Sequence, residues 1–257
     1  MKRVVLVVLA AGLALAGCGA DDTAQPGPDA PERVAVTVLA AASLTDVFTT
    51  LEQQFEAANP TADVRFSFGG SSDLATQIVN GAPADVFASA NEKQMKVVAE
   101  AGKVAGVPKP FTTNVLTIVV PLGNPKGIRT FADLAKPDVT ELVCAPQVPC
   151  GAATKEIEKA TNITLSPASE EPDVRSVLAK VQAGEADAGL VYLTDARNAA
   201  GKVKQINFPE AKDAVNVYPI AVINGAPQPR LAAAFVAFIL SPAGQRELTA
   251  AGFSPSS

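Results

Sequence analysis

The chain has 257 residues, 48% of them hydrophobic and 18% charged, with 18 glycines and 20 prolines. That balance excludes disordered and fibrous classes and suits one or two globular domains with a sizeable core. The formal charge is −5 and there is no histidine, which makes nucleic acid an unfit partner and removes Ser-His-Asp catalysis, Cys-His catalysis and any His-containing metal site.

Met1-Lys2-Arg3 and the apolar stretch Val4 to Ala16 form a basic n-region and an h-region too short to span a bilayer. Leu15-Ala16-Gly17-Cys18 resembles a bacterial lipobox. Residues 1–17 are therefore expected to be a lipoprotein signal peptide, with Cys18 the lipid-bearing first residue of the mature chain. An ordinary secretory signal with an incidental cysteine is the alternative. Gly19 to Pro31 carries no aromatic or apolar β-branched residue, so 18–32 reads as a flexible tether of about 20 Å root-mean-square span. Of the 21 basic residues, losing Lys2 and Arg3 leaves 19 against 26 acidic ones. A protein that acidic must capture an anion through local dipoles rather than a basic field.

Val34 to Leu39 reads as a buried strand, and Val47, Phe48, Leu51, Phe55 and Ala58 follow at helical spacing until Asn59-Pro60. Val64, Phe66 and Phe68 alternate as a strand. Leu74, Ala75, Ile78 and Val79 face the next helix, which Gly81-Ala82-Pro83 stops. Asp85 to Ala88 is a short strand, Asn91 to Ala101 a helix and Val115 to Pro121 a β-branched strand. Phe131 to Ala135 is helical, Glu141 to Cys144 a strand, Gly151 to Ala160 and Asp173 to Ala183 helices, and Ala188 to Leu193 a strand. Val203 to Phe208 and Val217 to Ile223 add strands, and helices at Pro229 to Leu240 and Pro242 to Ala251 finish the chain. The alternation predicts an α/β fold with mostly parallel sheets flanked by helices, and the length favours two sheets. In such folds ligands bind beyond the carboxyl ends of the strands.

Two serine-bearing turns sit at that location: Ala40-Ala41-Ala42-Ser43-Leu44-Thr45-Asp46 and, 28 residues on, Gly69-Gly70-Ser71-Ser72-Asp73-Leu74. Each follows a strand and opens a helix, so each offers a hydroxyl and unpaired backbone N–H groups to an anion. The plainer expectation is ordinary capping, with Ser43 and Asp46 forming a capping box and Ser71 or Ser72 capping the second helix. The flanking alanines and glycines leave room for a ligand to approach the backbone.

Cys144 and Cys150 are the cysteines left once Cys18 is lipidated. In an exported protein the pair points to a disulfide around a short Pro-containing loop, with two free thiols as the alternative. Zinc lacks ligands here. Tyr192 ends a strand on the same rim as the helix starts and is a candidate anion donor. Of the arginines able to clamp an anion, Arg65 is expected on a solvent-facing strand side and Arg175 on a solvated helix face.

In these segments, together with Gly81-Ala82-Pro83-Ala84-Asp85-Val86-Phe87, Asp173-Val174-Arg175 and Gly189-Leu190-Val191-Tyr192, the chain closely resembles the molybdate-binding components of bacterial ABC importers. The resemblance runs from about Val34 to Phe253. It implies a two-lobe periplasmic-binding-protein fold with two crossovers between lobes, lobe 1 being 33–114 with 219–257 and lobe 2 being 115–218. It implies hydroxyl donors from Ser43, Ser71 and Tyr192 and backbone N–H donors from Ser43, Ser71, Cys150 and Val174. The metal is met only through the oxygens of molybdate or tungstate, without a cofactor or direct metal ligand. A membrane permease of an ABC importer is the implied partner, and a lipid-anchored monomer on the outer face of the cell membrane the expected form. Where the family commonly has alanine before a glycine, this chain has Cys150-Gly151.

Sulfate is the nearest competing ligand, another tetrahedral dianion that only accepts hydrogen bonds. Phosphate keeps a proton and calls for a carboxylate acceptor; Asp46, Asp73 and Asp173 lie near but are expected to be helix-start charges. A ferric-ion binder would use clustered tyrosines, and Tyr192 and Tyr218 are not expected to be adjacent. A serine enzyme with a lysine base and a structural lipoprotein complete the alternatives.

Overall fold

The computed structural model describes residues 33–256. The expected signal peptide, Cys18 and the 18–32 tether lie outside the described residues. Val34–Ala41 (β1), Thr45–Ala58 (α1), Ala62–Gly69 (β2), Ser71–Val79 (α2), Val86–Ala88 (β3), Glu92–Glu100 (α3) and Val104–Asn114 (β4) follow in turn. After the single residue Val115 come Leu116–Pro121 (β5), Glu141–Cys144 (β6), Pro149–Thr161 (α4), Ser169–Glu171 (β7), Val174–Gln182 (α5), Ala188–Tyr192 (β8), Leu193–Asn198 (α6) and Val203–Ile206 (β9). Asn216–Ile223 (β10), Pro229–Leu240 (α7) and Pro242–Ala250 (α8) close the chain.

The strands form two five-stranded sheets, ordered β2-β1-β3-β10-β4 and β7-β6-β8-β5-β9. Both sheets are mixed, which corrects the expectation of mostly parallel ones. β1 runs parallel to β2 and β3, and β6 parallel to β7 and β8, because a helix carries the chain back over the sheet between them. β10 and β5 instead arrive from the other sheet, and each runs antiparallel to both of its neighbours. Their direction is set by where the chain comes from, not by a crossover helix.

Local sequence explains the elements that position the strand ends. α1 buries Val47, Phe48, Leu51 and Phe55 along one stripe and stops at Asn59, the residue before Pro60. Phe48, Phe66, Phe111 and Phe235 cluster behind the first sheet, Phe48 lying 5.8 to 6.1 Å from the other rings. In the second sheet, a Cβ at Gly189 would stand 2.6 Å from Val177 Cγ1. Glycine there lets α5 lie directly on β8, which aims the first turn of α5 at the end of the sheet.

β4 had no counterpart in the sequence reading, since Gly106, Pro108 and Pro110 look like loop punctuation. It is an edge strand, where proline costs no ladder bond on the solvent side, and its register against β10 is broken twice. The short β7 and the six-residue α6 carry too little periodicity to be seen. No helix among the described residues is long and apolar enough to cross a membrane.

Candidate functional site

The carboxyl ends of β1, β2, β6, β7 and β8 converge on one small pocket. Ser43, Gly70 and Ser71 line it from the first sheet, and Cys150, Val174 and Tyr192 from the second. The structure thus brings together all five residues singled out as oxyanion donors, from segments as far apart in sequence as Ser43 and Tyr192.

Neither serine caps its helix. Ser43 sits inside a 3₁₀ turn, Ala42–Leu44, ahead of α1, and no side chain caps either element. Ser71 is the first residue of α2, whose N-cap is Gly70. The expected capping box of Ser43 with Asp46 and the expected cap from Ser71 or Ser72 do not form, because the helices begin one position away from where a serine could reach N2 or N3. The hydroxyls turn elsewhere. Ser43 Oγ lies 2.9 Å from Tyr218 Oη, and Ser71 Oγ accepts the Ala90 N–H at 3.0 Å. First-turn N–H groups have no carbonyl partner within their own helix, so the absence of caps leaves them available.

α5 reaches a similar result by another route. Asp173 caps it, and one carboxylate oxygen accepts the N–H groups of both Arg175 and Ser176 at 2.8 and 3.0 Å. Val174, the first residue of α5, takes no part in that cap, and it lines the pocket. Asp46 and Asp73 stand in the first turns of α1 and α2, as expected. At α4, Pro149 occupies the first helical turn and Cys150 follows it, bridged to Cys144 with the Cα atoms 5.7 Å apart. A Cβ at Gly151 would lie 2.0 Å from the Ala145 carbonyl oxygen, so glycine lets the start of α4 pack onto the end of β6.

Tyr192 ends β8 fully buried, with a hydroxyl that has no hydrogen-bond partner in the protein. Burial pushes its phenol well above the ordinary value, so it keeps its proton and has it to donate to an anion. Tyr218 is buried beside it, ring centroids 5.9 Å apart. The two tyrosines, distant in sequence, are therefore neighbours in space, which corrects the expectation for them. Of the two, Tyr192 lines the pocket while Tyr218 stands behind Ser43.

Arg175 does not sit on a solvated helix face. Its Nε lies 2.9 Å from Asp195 Oδ1, and its outer nitrogen pairs with Asp46 on α1. Asn198 Nδ2 donates to the same Asp46 oxygen at 2.7 Å. Asp195 is wholly buried in the first turn of α6, and burial pushes its carboxyl up to about 7 despite the guanidinium beside it. Sequence reasoning missed Asp195, three residues after Tyr192, because an acid in a helix's first turn is an ordinary surface feature.

Further contacts join the halves around the pocket. Gln94 Nε2 on α3 donates to the Gln147 carbonyl at 2.8 Å. Gly70 faces Pro172 so closely that a Cβ would stand 2.3 Å from its carbonyl oxygen. The room at Gly70 is thus taken by the other half of the protein rather than kept for ligand approach. The one carboxylate that lines the pocket, Asp173, is taken up by the N–H groups of Arg175 and Ser176 and by the Ser176 hydroxyl, and no metal-binding cluster occurs among the described residues.

A family profile described as bacterial extracellular solute-binding protein matches residues 36–254. The molybdate-binding protein ModA of Mycobacterium tuberculosis strain H37Rv is 51% identical over 250 residues, spanning 97% of this chain and 95% of its own. Among solved structures, the periplasmic molybdate-binding protein of Azotobacter vinelandii superposes with a TM-score of 0.75 at 23% identity, over 86% of this chain and 100% of that one. The sulfate-binding protein SubI of Mycobacterium tuberculosis superposes with a TM-score of 0.76 at 22% identity, over 88% of each chain. At those identities the superpositions establish the fold.

Proposed function

The chain belongs to the bacterial extracellular solute-binding proteins, and from that premise we propose that it captures molybdate between its two lobes and delivers it to a membrane ABC importer. The observation that carries this reading is a pocket where hydroxyls and helix-start N–H groups meet and whose one lining carboxylate, Asp173, is spent on capping α5. Ser43, Ser71 and Tyr192 offer hydroxyls, and Ser43, Ser71, Cys150 and Val174 offer backbone N–H groups. Molybdate at neutral pH is a dianion that only accepts hydrogen bonds, so such donors satisfy it without a neutralising cation. Charge-assisted bonds contribute roughly 1.5–3 kcal/mol each. About half a dozen, less the costs of desolvation and closure, reach micromolar or tighter binding.

Tungstate, of the same charge and shape, is taken up alike. The protein itself catalyses nothing. It works outside the cytoplasm as a monomer held to the membrane by lipid on Cys18, a position that rests on the lipobox-like segment. The division into lobe 1 (33–114 and 219–257) and lobe 2 (115–218) is supported by the two sheets, with β10 already beginning at Asn216.

A thermal-shift series with molybdate, tungstate, sulfate and phosphate tests the reading, because a ligand that binds only the folded state raises stability by mass action. Molybdate and tungstate should give the largest shifts. A larger shift with sulfate at equal concentration would transfer the assignment to sulfate, and no shift with any anion would reject a solute-binding role at this pocket.

A further inference from the structure

We propose that Tyr218 sets the anion specificity of the site by donating its phenol proton to Ser43 Oγ, which fixes Ser43 as a hydrogen-bond donor toward the pocket. The inference rests on the reading of the pocket as a dianion cage. A serine hydroxyl carries one hydrogen and two lone pairs. It can face an oxyanion usefully only by pointing that hydrogen at it, and something must hold its oxygen from behind.

At Ser71 this arrangement is unambiguous. The Ala90 amide donates to Ser71 Oγ at 3.0 Å, and an amide cannot reverse the bond, so the hydrogen of Ser71 is left for the pocket. Ser43 has one side-chain partner, the Tyr218 hydroxyl at 2.9 Å, where either oxygen could be the donor. The surroundings choose between them. The Tyr218 ring is buried and held edge-on by Phe111, Tyr192 and Phe253, with centroids 6.3, 5.9 and 5.6 Å away, so its hydroxyl oxygen is fixed beside Ser43. Were Ser43 the donor, its lone pairs would face a pocket built to receive oxygen anions. With Tyr218 as donor, both serines have their oxygens occupied from behind and their hydrogens turned inward.

The consequence is selective. Hydrogen phosphate and hydrogen arsenate keep a proton at neutral pH and need an acceptor inside the cage. A serine whose hydrogen is held toward the pocket presents that hydrogen, not a lone pair, to the anion's own proton. Tyr218 therefore acts through Ser43 as a positioning residue that excludes protonated tetrahedral anions.

Tyr218→Phe removes the hydroxyl and keeps the ring. By isothermal titration it should weaken molybdate binding roughly fivefold and lower the preference for molybdate over hydrogen arsenate, since Ser43 becomes free to accept. In a Ser43→Ala background the same substitution should leave molybdate affinity unchanged. A preference ratio unaltered by Tyr218→Phe, or an equal loss in both backgrounds, would overturn the proposal and leave the cage standing. Failure of the unaltered protein to bind molybdate would instead remove the functional reading beneath it. Neutron diffraction from the unaltered protein with molybdate bound decides the point without a variant. A deuteron on Tyr218 Oη directed at Ser43 supports the proposal, and one on Ser43 directed at Tyr218 refutes it.

Discussion

Gly70 has φ −62° and ψ 129°, a conformation open to any residue, so alanine there brings no backbone strain to its own lobe. Its methyl group, however, would stand 2.3 Å from the Pro172 carbonyl oxygen and 3.7 Å from Val148 Cγ1 across the pocket. Carbon and carbonyl oxygen sit comfortably at about 3.3–3.6 Å, so the lobes of Gly70→Ala must stay roughly 1 Å further apart than in the unaltered protein. Overpacking of this kind costs about 1–3 kcal/mol, and here the cost falls on the closed form alone. Molybdate binding should therefore weaken by roughly 5- to 150-fold. The stability of the ligand-free protein should hold or rise by a few tenths of a kcal/mol or more, because alanine restricts the unfolded chain. Titration calorimetry gives the first quantity and melting without ligand the second. Unchanged affinity, or a loss of ligand-free stability as large as the loss of binding energy, would show that Gly70 does not serve closure.

Asp195 has a carboxyl raised by burial to about 7, so its contribution to stability is greatest below the ordinary carboxylate range and is lost as pH rises toward 7. The ceiling is about 4 kcal/mol, and Asp195→Asn should flatten the fall in urea-unfolding stability between about pH 4 and pH 7; parallel curves would contradict this. Asp46→Asn breaks the exposed ion pair to Arg175 but keeps Arg175 against Asp195. It should speed molybdate release at most roughly fivefold, with the difference shrinking in high salt, and a salt-independent difference in stopped-flow rates would refute the electrostatic account. Replacing Cys144 and Cys150 with alanine should lower stability by about 2 kcal/mol while changing molybdate affinity only a few-fold, since the Cys150 N–H persists. Loss of binding in a folded double variant would mean that the bridge itself shapes the donor loop.

Much of the fold could be read residue by residue. Apolar runs such as Val34 to Leu39 stop at a small or turn-forming residue and meet a helical stripe such as Phe48, Leu51 and Phe55, and each of these became an element within a residue or two of its expected end. Ser43, Ser71 and Tyr192 were legible from the strand ends and helix starts, and Cys150 and Val174 through family resemblance, while their local roles were not. A shift of one position at a helix start decides whether a serine caps or stands free, and no spacing pattern resolves one position. Tyr218 meets Ser43 across 175 residues and Arg175 meets Asp46 across 129. Those partners share no element or periodicity, so their meeting depends on how the two sheets face each other. β4 stayed hidden because Pro108 and Pro110, tolerated at a sheet edge, carry the local signature of a loop.

The strand order of the first sheet also bears on how the chain is made. β3 and β4 are joined through β10, which lies near the far end of the sequence, and Phe235 of α7 fills the aromatic cluster of the N-terminal half. A ribosome that has produced everything up to β9 has therefore made a first lobe with a missing inner strand and an unfilled core. Domains ordinarily fold from the N-terminus as they emerge. Here the first lobe has to wait for the last 42 residues (216–257), so its folding is tied to the completion of the chain.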